Sequence, residues 1–191
     1  IFYPYLAVLV MLLTALPGFN AGAADIYVVD PVHSSIVFKV GHLNISSVIG
    51  RFNHAEGTVR VDEKNPSDSS VDIYVKAEHV DTGNAERDTH LRSADFFSVE
   101  KFPEIRFVST SVKKTGDETY KVSGDLTLHG VTLPKTVIVK RTGFGNDPWG
   151  GYRMGFETEI TVDRSVFGMK EMPGVGNVVR LTLNFECVRE K

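Results

Sequence analysis

A chain of 191 residues with 42% hydrophobic residues and one cysteine is one globular domain's worth of polypeptide, long enough to bury a core without a disulfide or metal staple. Lys and Arg number 21 against 24 Asp and Glu, a net charge of -3 with no basic run, which argues against an electrostatic grip on nucleic acid. The composition also excludes collagen-like and disordered classes.

The first element in the chain reads as a targeting segment. No charged residue stands between Ile1 and Ala24, and the apolar core Leu6 to Leu16 spans 11 residues before Pro17 and Gly18. A membrane span needs roughly 20 apolar residues, so this stretch reads as the core of a cleaved export signal. Ala21 and Ala23, or Gly22 and Ala24, place the cut after Ala23 or Ala24. With neither Met nor a basic start before it, segment 1–23 reads as a signal peptide with an incomplete N-terminus, and 24–191 as the exported domain. In an oxidising compartment the lone Cys187 has no partner in its chain. It continues the apolar phase Leu181, Leu183, Phe185, which predicts a buried, inert thiol.

Beyond the signal the dominant period is two. The run Val71-Asp72-Ile73-Tyr74-Val75-Lys76 alternates apolar and polar residues, the mark of a strand with one dry face. The same reading predicts strands near 26–29, 34–42, 52–62, 70–80, 104–114, 118–129, 131–143, 151–163 and 177–188. Turn signals separate them, among them Asn65-Pro66-Ser67-Asp68, His129-Gly130 and Asn146-Asp147-Pro148. Short connections of this kind favour an antiparallel sandwich or barrel, since parallel strands need crossover helices. One stretch, Asn84 to Ala94, has helical character with Asn84 as its cap.

If the strands close into a barrel, the inward phases carry Ile36, Phe38 and Val40; Val71, Ile73 and Val75; Ile105 and Phe107; Leu126 and Leu128; Met154, Phe156 and Ile160; and Leu181, Leu183 and Phe185. Periodicity does not separate a packed core from a lined tunnel, and close packing is the default.

Signals for chemistry are sparse. The six histidines show no spacing that puts two metal ligands on one face of one element, so no metal site is expected. His42 shares the phase of Phe38 and Val40, and reads either as a hydrogen-bonded core histidine or as a polar contact on a cavity. No nucleophile elbow or phosphate loop is present, and no cofactor is expected. The densest polar cluster runs from Asp81 to Phe97, with Arg87, Asp88, His90 and Arg92 beside Phe96 and Phe97. It fits an ion-pair network that pins the helix across a barrel end, or a polar mouth over an apolar cavity. The network is the commoner outcome. Trp149, the single tryptophan, stands in a Gly/Pro-rich turn and is expected to plug the end of the barrel.

This cluster also carries a resemblance. Asp81-Thr82-Gly83, Arg87-Asp88, His90-Leu91-Arg92-Ser93, Asp95-Phe96-Phe97 and Phe102-Pro103 resemble the central signature of the YceI-like family of exported lipid-binding proteins. Asp30-Pro31-x-His33-Ser34, Gly124 to Thr132, and Asp147-Pro148-Trp149-Gly150 follow in the family's order, so the resemblance covers essentially the whole mature chain. Ser98 and Lys101-Phe102 depart from it slightly.

The resemblance implies an all-β, extended, lipocalin-like antiparallel barrel of about eight strands with a short capping helix. It implies a periplasmic binding protein, with no catalytic residues, that carries a polyisoprenoid or other long-chain lipid in an apolar tunnel lined by the inward set. Arg87, Asp88, His90, Arg92, Phe96, Phe97 and Trp149 would then form its mouth or cap. Transient contact with a membrane or a lipid-processing enzyme, and a homodimer, fit the same reading. The alternative is an enzyme acting on a bound isoprenoid or acyl lipid, with Asp88, His90 and Arg92 as its polar machinery.

Overall fold

The structure, a computed structural model, describes residues 24–191, so the expected signal peptide and its cleavage site lie outside the described residues. Along the chain run β1 (Asp25–Val29), β2 (Ser35–His42), β3 (Ser46–Phe52), β4 (Ala55–Val61), β5 (Ser70–Lys76), β6 (Val80–Asp81), the helix α1 (Ala85–Arg92), β7 (Glu104–Lys114), β8 (Thr119–Leu128), β9 (Val131–Asn146), β10 (Tyr152–Asp163) and β11 (Val175–Arg189). Every pairing is antiparallel.

These segments make an eight-stranded barrel because the first three strands are each broken once. β1 and β2 both pair with β11, one after the other along it. β3 and β4 lie against β2 and β1, and β5 and β6 lie against β4 and β3. From there the order is a plain meander, β5-β7-β8-β9-β10-β11, and the pairs Tyr27↔Arg189 and Val29↔Cys187 close the ring.

The predicted strand over 52–62 is therefore two segments meeting at a corner, and β3 extends it back to Ser46. The helix is shorter than the predicted stretch but begins where expected, with the Asn84 side chain accepting the Arg87 amide. The β8–β9 hairpin turns on His129 and Gly130, both at positive φ (51° and 75°), the two-residue geometry that matches the twist of the strands it joins. A Cβ at position 130 would run into the Phe102 ring, so glycine is needed twice over.

The outward phases are mostly polar, as in Lys121, Ser123, Asp125 and Thr127 of β8 opposite Val122, Gly124, Leu126 and Leu128, with single exposed apolar residues such as Val37, Ile49 and Ile138 on other strands. This is the reverse of a transmembrane barrel, which turns its apolar phase outward. The two ends differ. The end carrying α1 gathers the β2–β3, β8–β9 and β10–β11 connections, and the other gathers the β4–β5, β7–β8 and β9–β10 turns.

Candidate ligand cavity

A cavity of about 230 Å³ lies inside the barrel toward the α1 end. Packed interiors hold few voids larger than one water, which needs ~10–15 Å³, so this space exceeds a packing defect more than tenfold. Of the sixteen residues expected on the inward phases, fifteen line it: Ile36, Phe38, Val40, Val71, Ile73, Val75, Ile105, Phe107, Leu126, Leu128, Phe156, Ile160, Leu181, Leu183 and Phe185.

Met154 does not line the cavity. It is 2% exposed, pairs in register with Cys187 and packs in a filled layer with Tyr27 and Val29 beyond the cavity floor. The barrel thus has a filled end and a hollow end. The filled end is sealed by Arg141, which continues the inward phase of β9 and donates to both Glu63 and Glu118. Its hydrogen bond to Glu118 is the main cause that holds its guanidinium charged far above the ordinary range, against the opposing effect of burial.

Sequence reading missed part of the wall. Phe52, Val59, Val122, Val137, Val139, Val162, Met169, Val175 and Val179 also line the cavity. For β9 the signal was present in Val131, Leu133, Val137 and Val139, but Lys135 stands in the same phase and breaks the pattern.

The polar cluster is placed beside the cavity, not in it. Asp88, 7% exposed, accepts the Thr82 amide at 2.9 Å and the Thr82 hydroxyl at 2.5 Å. Arg87 donates to the Thr82 hydroxyl and carbonyl at 2.7 and 2.8 Å, and Arg92 donates to the carbonyls of Glu78 and Val80 at 2.7 and 3.0 Å. His90 stands edge-on to Phe96 with its Nε2 3.3 Å from Asp95.

None of Arg87, Asp88, His90 and Arg92 lines the cavity, so of the expected mouth or cap the mouth is corrected: Arg87, Asp88 and Arg92 tie α1 to the segment Glu78–Thr82 around β6, and His90 faces Asp95 and Phe96. Leu91, Phe96 and Phe97 supply the apolar lid.

Two further expectations are corrected. Trp149 is 77% exposed and plugs nothing. The Asp147 carboxylate accepts the amides of Trp149 and Gly151 and so fixes a turn that carries the indole outward, over Arg153 at 5.6 Å. His42 is exposed, because β2 runs on past the barrel rim before its phase turns inward again.

Two of the sequence motifs meet at the filled end. Arg153 donates to Asp30 (2.7 Å), Asp147 (2.8 Å) and Glu186 (2.5 Å), which bridges the β1–β2 break to the β9–β10 turn. Burial opposes ionisation of Asp30, yet hydrogen bonds from His33, Arg153 and the Val32 amide bring its carboxyl down to about 2. Asp30, His33 and Glu186 are also the one set among the described residues whose ligand atoms lie close enough to hold a metal ion. The Arg153 guanidinium is already hydrogen-bonded to both carboxylates and so competes with an ion for their oxygens.

A closed meander barrel, polar outside and hollow at one end behind apolar walls, defines a class: the ligand-binding barrels. Within that class the chain belongs to the YceI-like family, whose domain model matches residues 27–187. Its relatives include a UPF0312 protein of Pseudomonas paraeruginosa, 46% identical over 90% of this chain and 92% of that protein. Protein YceI of Escherichia coli O157:H7 is 44% identical over 91% and 93%.

Among solved structures, Burkholderia cenocepacia BcnA superposes with a TM-score of 0.73 at 21% identity, over 83% of this chain and 98% of that one. A Saccharophagus degradans domain described as polyisoprenoid-binding superposes at 0.65 and 13% identity, over 86% and 98%. At these identities both likenesses concern the fold.

Proposed function

We propose that the protein is an exported carrier that holds a polyisoprenoid or similar long-chain lipid in the hollow end of its barrel. The observation that carries this reading is the cavity, whose wall is aliphatic and aromatic along almost its whole length. Burying hydrocarbon stabilises a complex by about 0.8 kcal/mol per methylene, so a pre-formed apolar cavity binds a lipid tail through area alone. The polyisoprenoid-binding description of the Saccharophagus degradans domain, which shares the fold, supports the same choice of ligand. The uncharged segment 1–23 supports export.

Exchange with a membrane or a lipid-handling partner takes place at the α1 end. There the tip of the β2–β3 hairpin presents Leu43 and Ile45, 55% and 84% exposed, beside the hollow half of the barrel. The enzymatic alternative drew on Asp88, His90 and Arg92, and no observation favours it: these side chains face backbone groups and Asp95.

The test is mass spectrometry of an organic extract of the protein purified from a native host, paired with an Ile73→Trp variant. A co-purifying long-chain lipid is expected in the first and its loss from a folded barrel in the second. A lipid-free extract together with no uptake of added polyprenyl or acyl ligands would sink the reading. Lipid retained at wild-type level by the variant would remove Ile73 from the wall. Export is checked by N-terminal sequencing of the protein from the periplasmic fraction, where a start at Ala24 or Asp25 is expected.

A further inference from the structure

The β9–β10 ladder runs from Tyr152↔Asn146 to Thr158↔Val139 and stops there. β9 nevertheless stays paired with β8 as far as Val131, and β10 with β11 as far as Asp163. Among the described residues no backbone hydrogen bond joins 131–138 to 159–163, so the wall carries a slot that starts at the α1 rim. It ends beside Thr158 and Val139, which both line the cavity. The inward side chains of β9 from Val131 to Val139 are half-buried, whereas Val122, Leu126 and Leu128 on the fully paired β8 are buried.

The sequence holds this slot open. Ile138 turns its carbonyl toward it, where Thr158 Oγ1 donates at 2.8 Å, so every second residue of β9 faces the same way: Thr136, Pro134 and Thr132. Carried on in register, the ladder would set Ile138 against Glu159, Thr136 against Thr161 and Pro134 against Asp163. Proline has no N–H to give, and within sheets it belongs on an edge. In place of the missing rungs, Lys135 Nζ donates to the Thr161 carbonyl at 2.5 Å. An ammonium on a flexible stem can release that carbonyl without moving a strand.

The other ways out of the cavity are held more firmly. Arg141 seals the filled end with Glu63 and Glu118. At the α1 end the lid residues Leu91, Phe96 and Phe97 stand on α1 and the turn after it, tied down by Arg87, Asp88 and Arg92. The neighbouring loop 170–176 is fixed by Arg164, 4% exposed, which donates to the carbonyls of Lys170, Val175 and Gly176. Local opening takes least free energy where the fewest bonds hold a segment, and across the slot those bonds come from the side chains of Lys135 and Thr158.

We propose that the slot is a lateral port: the ligand's chain passes sideways between β9 and β10, Lys135 latches the opening, and Pro134 keeps the ladder from closing it. The inference rests on the lipid-binding reading and adds the route of exchange. A slot along the cavity lets a long chain leave a bilayer or a partner's groove segment by segment, each methylene moving from one apolar surface to the next. Passage through an end would instead draw the whole chain across water.

The experiment is stopped-flow exchange of parinaric acid, a linear chain that fluoresces when bound, chased from the delipidated protein with farnesol. A Thr136→Cys/Thr161→Cys variant, with both positions exposed and on facing edges of the slot, is joined after folding by a short bismaleimide. Cys187 is 0% exposed and stays out of the reaction. Clamping is expected to slow association and dissociation alike by about tenfold and to leave affinity within about twofold, since a port sets rates and not the bound state. The same clamp on Lys140→Cys/Glu157→Cys, where the ladder is intact, is expected to change neither rate. Lys135→Met is expected to speed both rates several-fold, and Pro134→Thr, which restores an N–H, to slow both.

Rates unchanged by the slot clamp overturn the port, move passage to the lid of Leu91, Phe96 and Phe97, and leave the carrier reading standing. Equal slowing by both clamps overturns it too, because stiffness of the whole barrel then governs exchange. If the slot clamp does not form, Lys135→Met and Pro134→Thr decide, and rates moved by neither overturn the port. A wild type that binds neither parinaric acid nor farnesol overturns the carrier reading and the port with it.

Discussion

Cys187 shows how far a single residue was legible. Its place on the apolar phase of β11 implied burial, and it is 0% exposed, with burial pushing its thiol up to about 12. The thiolate is the reactive form, so Cys187 is expected to resist maleimide in the native protein and to react at a rate that follows unfolding. Fast labelling of the folded protein would contradict this burial. Trp149 was not legible, because turn residues carry no period from which to read a direction, and the local Asp147 hydrogen bonds decide where the indole goes. Its fluorescence is expected to be that of an exposed indole, quenched by acrylamide and unmoved by saturating lipid. A blue-shifted spectrum that moves on binding would place it back at the cavity.

Among the elements, α1 is held by polar contacts more than by burial, and only Asp88 on it is buried. Asp88→Ala leaves the Thr82 amide and hydroxyl without their acceptor, at a cost of about 1–3 kcal/mol. A thermal melt is expected to show Tm lower by several degrees, with farnesol affinity in the folded protein near wild type. An unchanged Tm would mean that the helix is held by its lid residues alone.

The elements that escaped sequence reading have physical causes. In β3 the apolar Ile49 lies on the wet face, 60% exposed, and Ile45 just before the strand is 84% exposed, while the dry phase holds Gly50, where any Cβ would strike the Phe38 ring. Alternation there points the wrong way. β6 is two residues long, too short to show any period. By contrast β5 keeps one apolar phase through Val71, Ile73 and Val75, and β11 through Leu181, Leu183, Phe185 and Cys187, and these runs mark both the strand and its inward side.

At the scale of the molecule, the all-β barrel and most of its wall could be read from period two, but the division into a filled and a hollow end could not. That division depends on which layers of the barrel meet bulky partners. Met154 and Phe156 share a phase, yet one packs on Cys187 and the other borders the cavity.

The filled end also sets the response to acid. Asp30 in the folded protein ionises at about 2 against an ordinary 3.8, so the unfolded chain takes up its proton at higher pH than the native state does. Its contribution is complete above about pH 4 and is lost as pH falls through about 2. The Asp30→Asn variant is expected to melt lower at neutral pH and to lose less stability than wild type between these limits. Parallel curves of Tm against pH would show that the carboxylate does not act through this linkage.

The ring closes by pairing the first described strand with the last, and β11 alone touches three others: β10, β1 and β2. A chain made from its N-terminus can assemble the meander strand by strand, but the cylinder stays an open sheet until the 15 residues of β11 arrive. Pairing across so long a loop is slow, and in the interval two unsatisfied edges are free to join other chains. Loss of a few residues from β11 would thus harm folding far more than loss of as many from any hairpin tip, because it removes the clasp rather than a link.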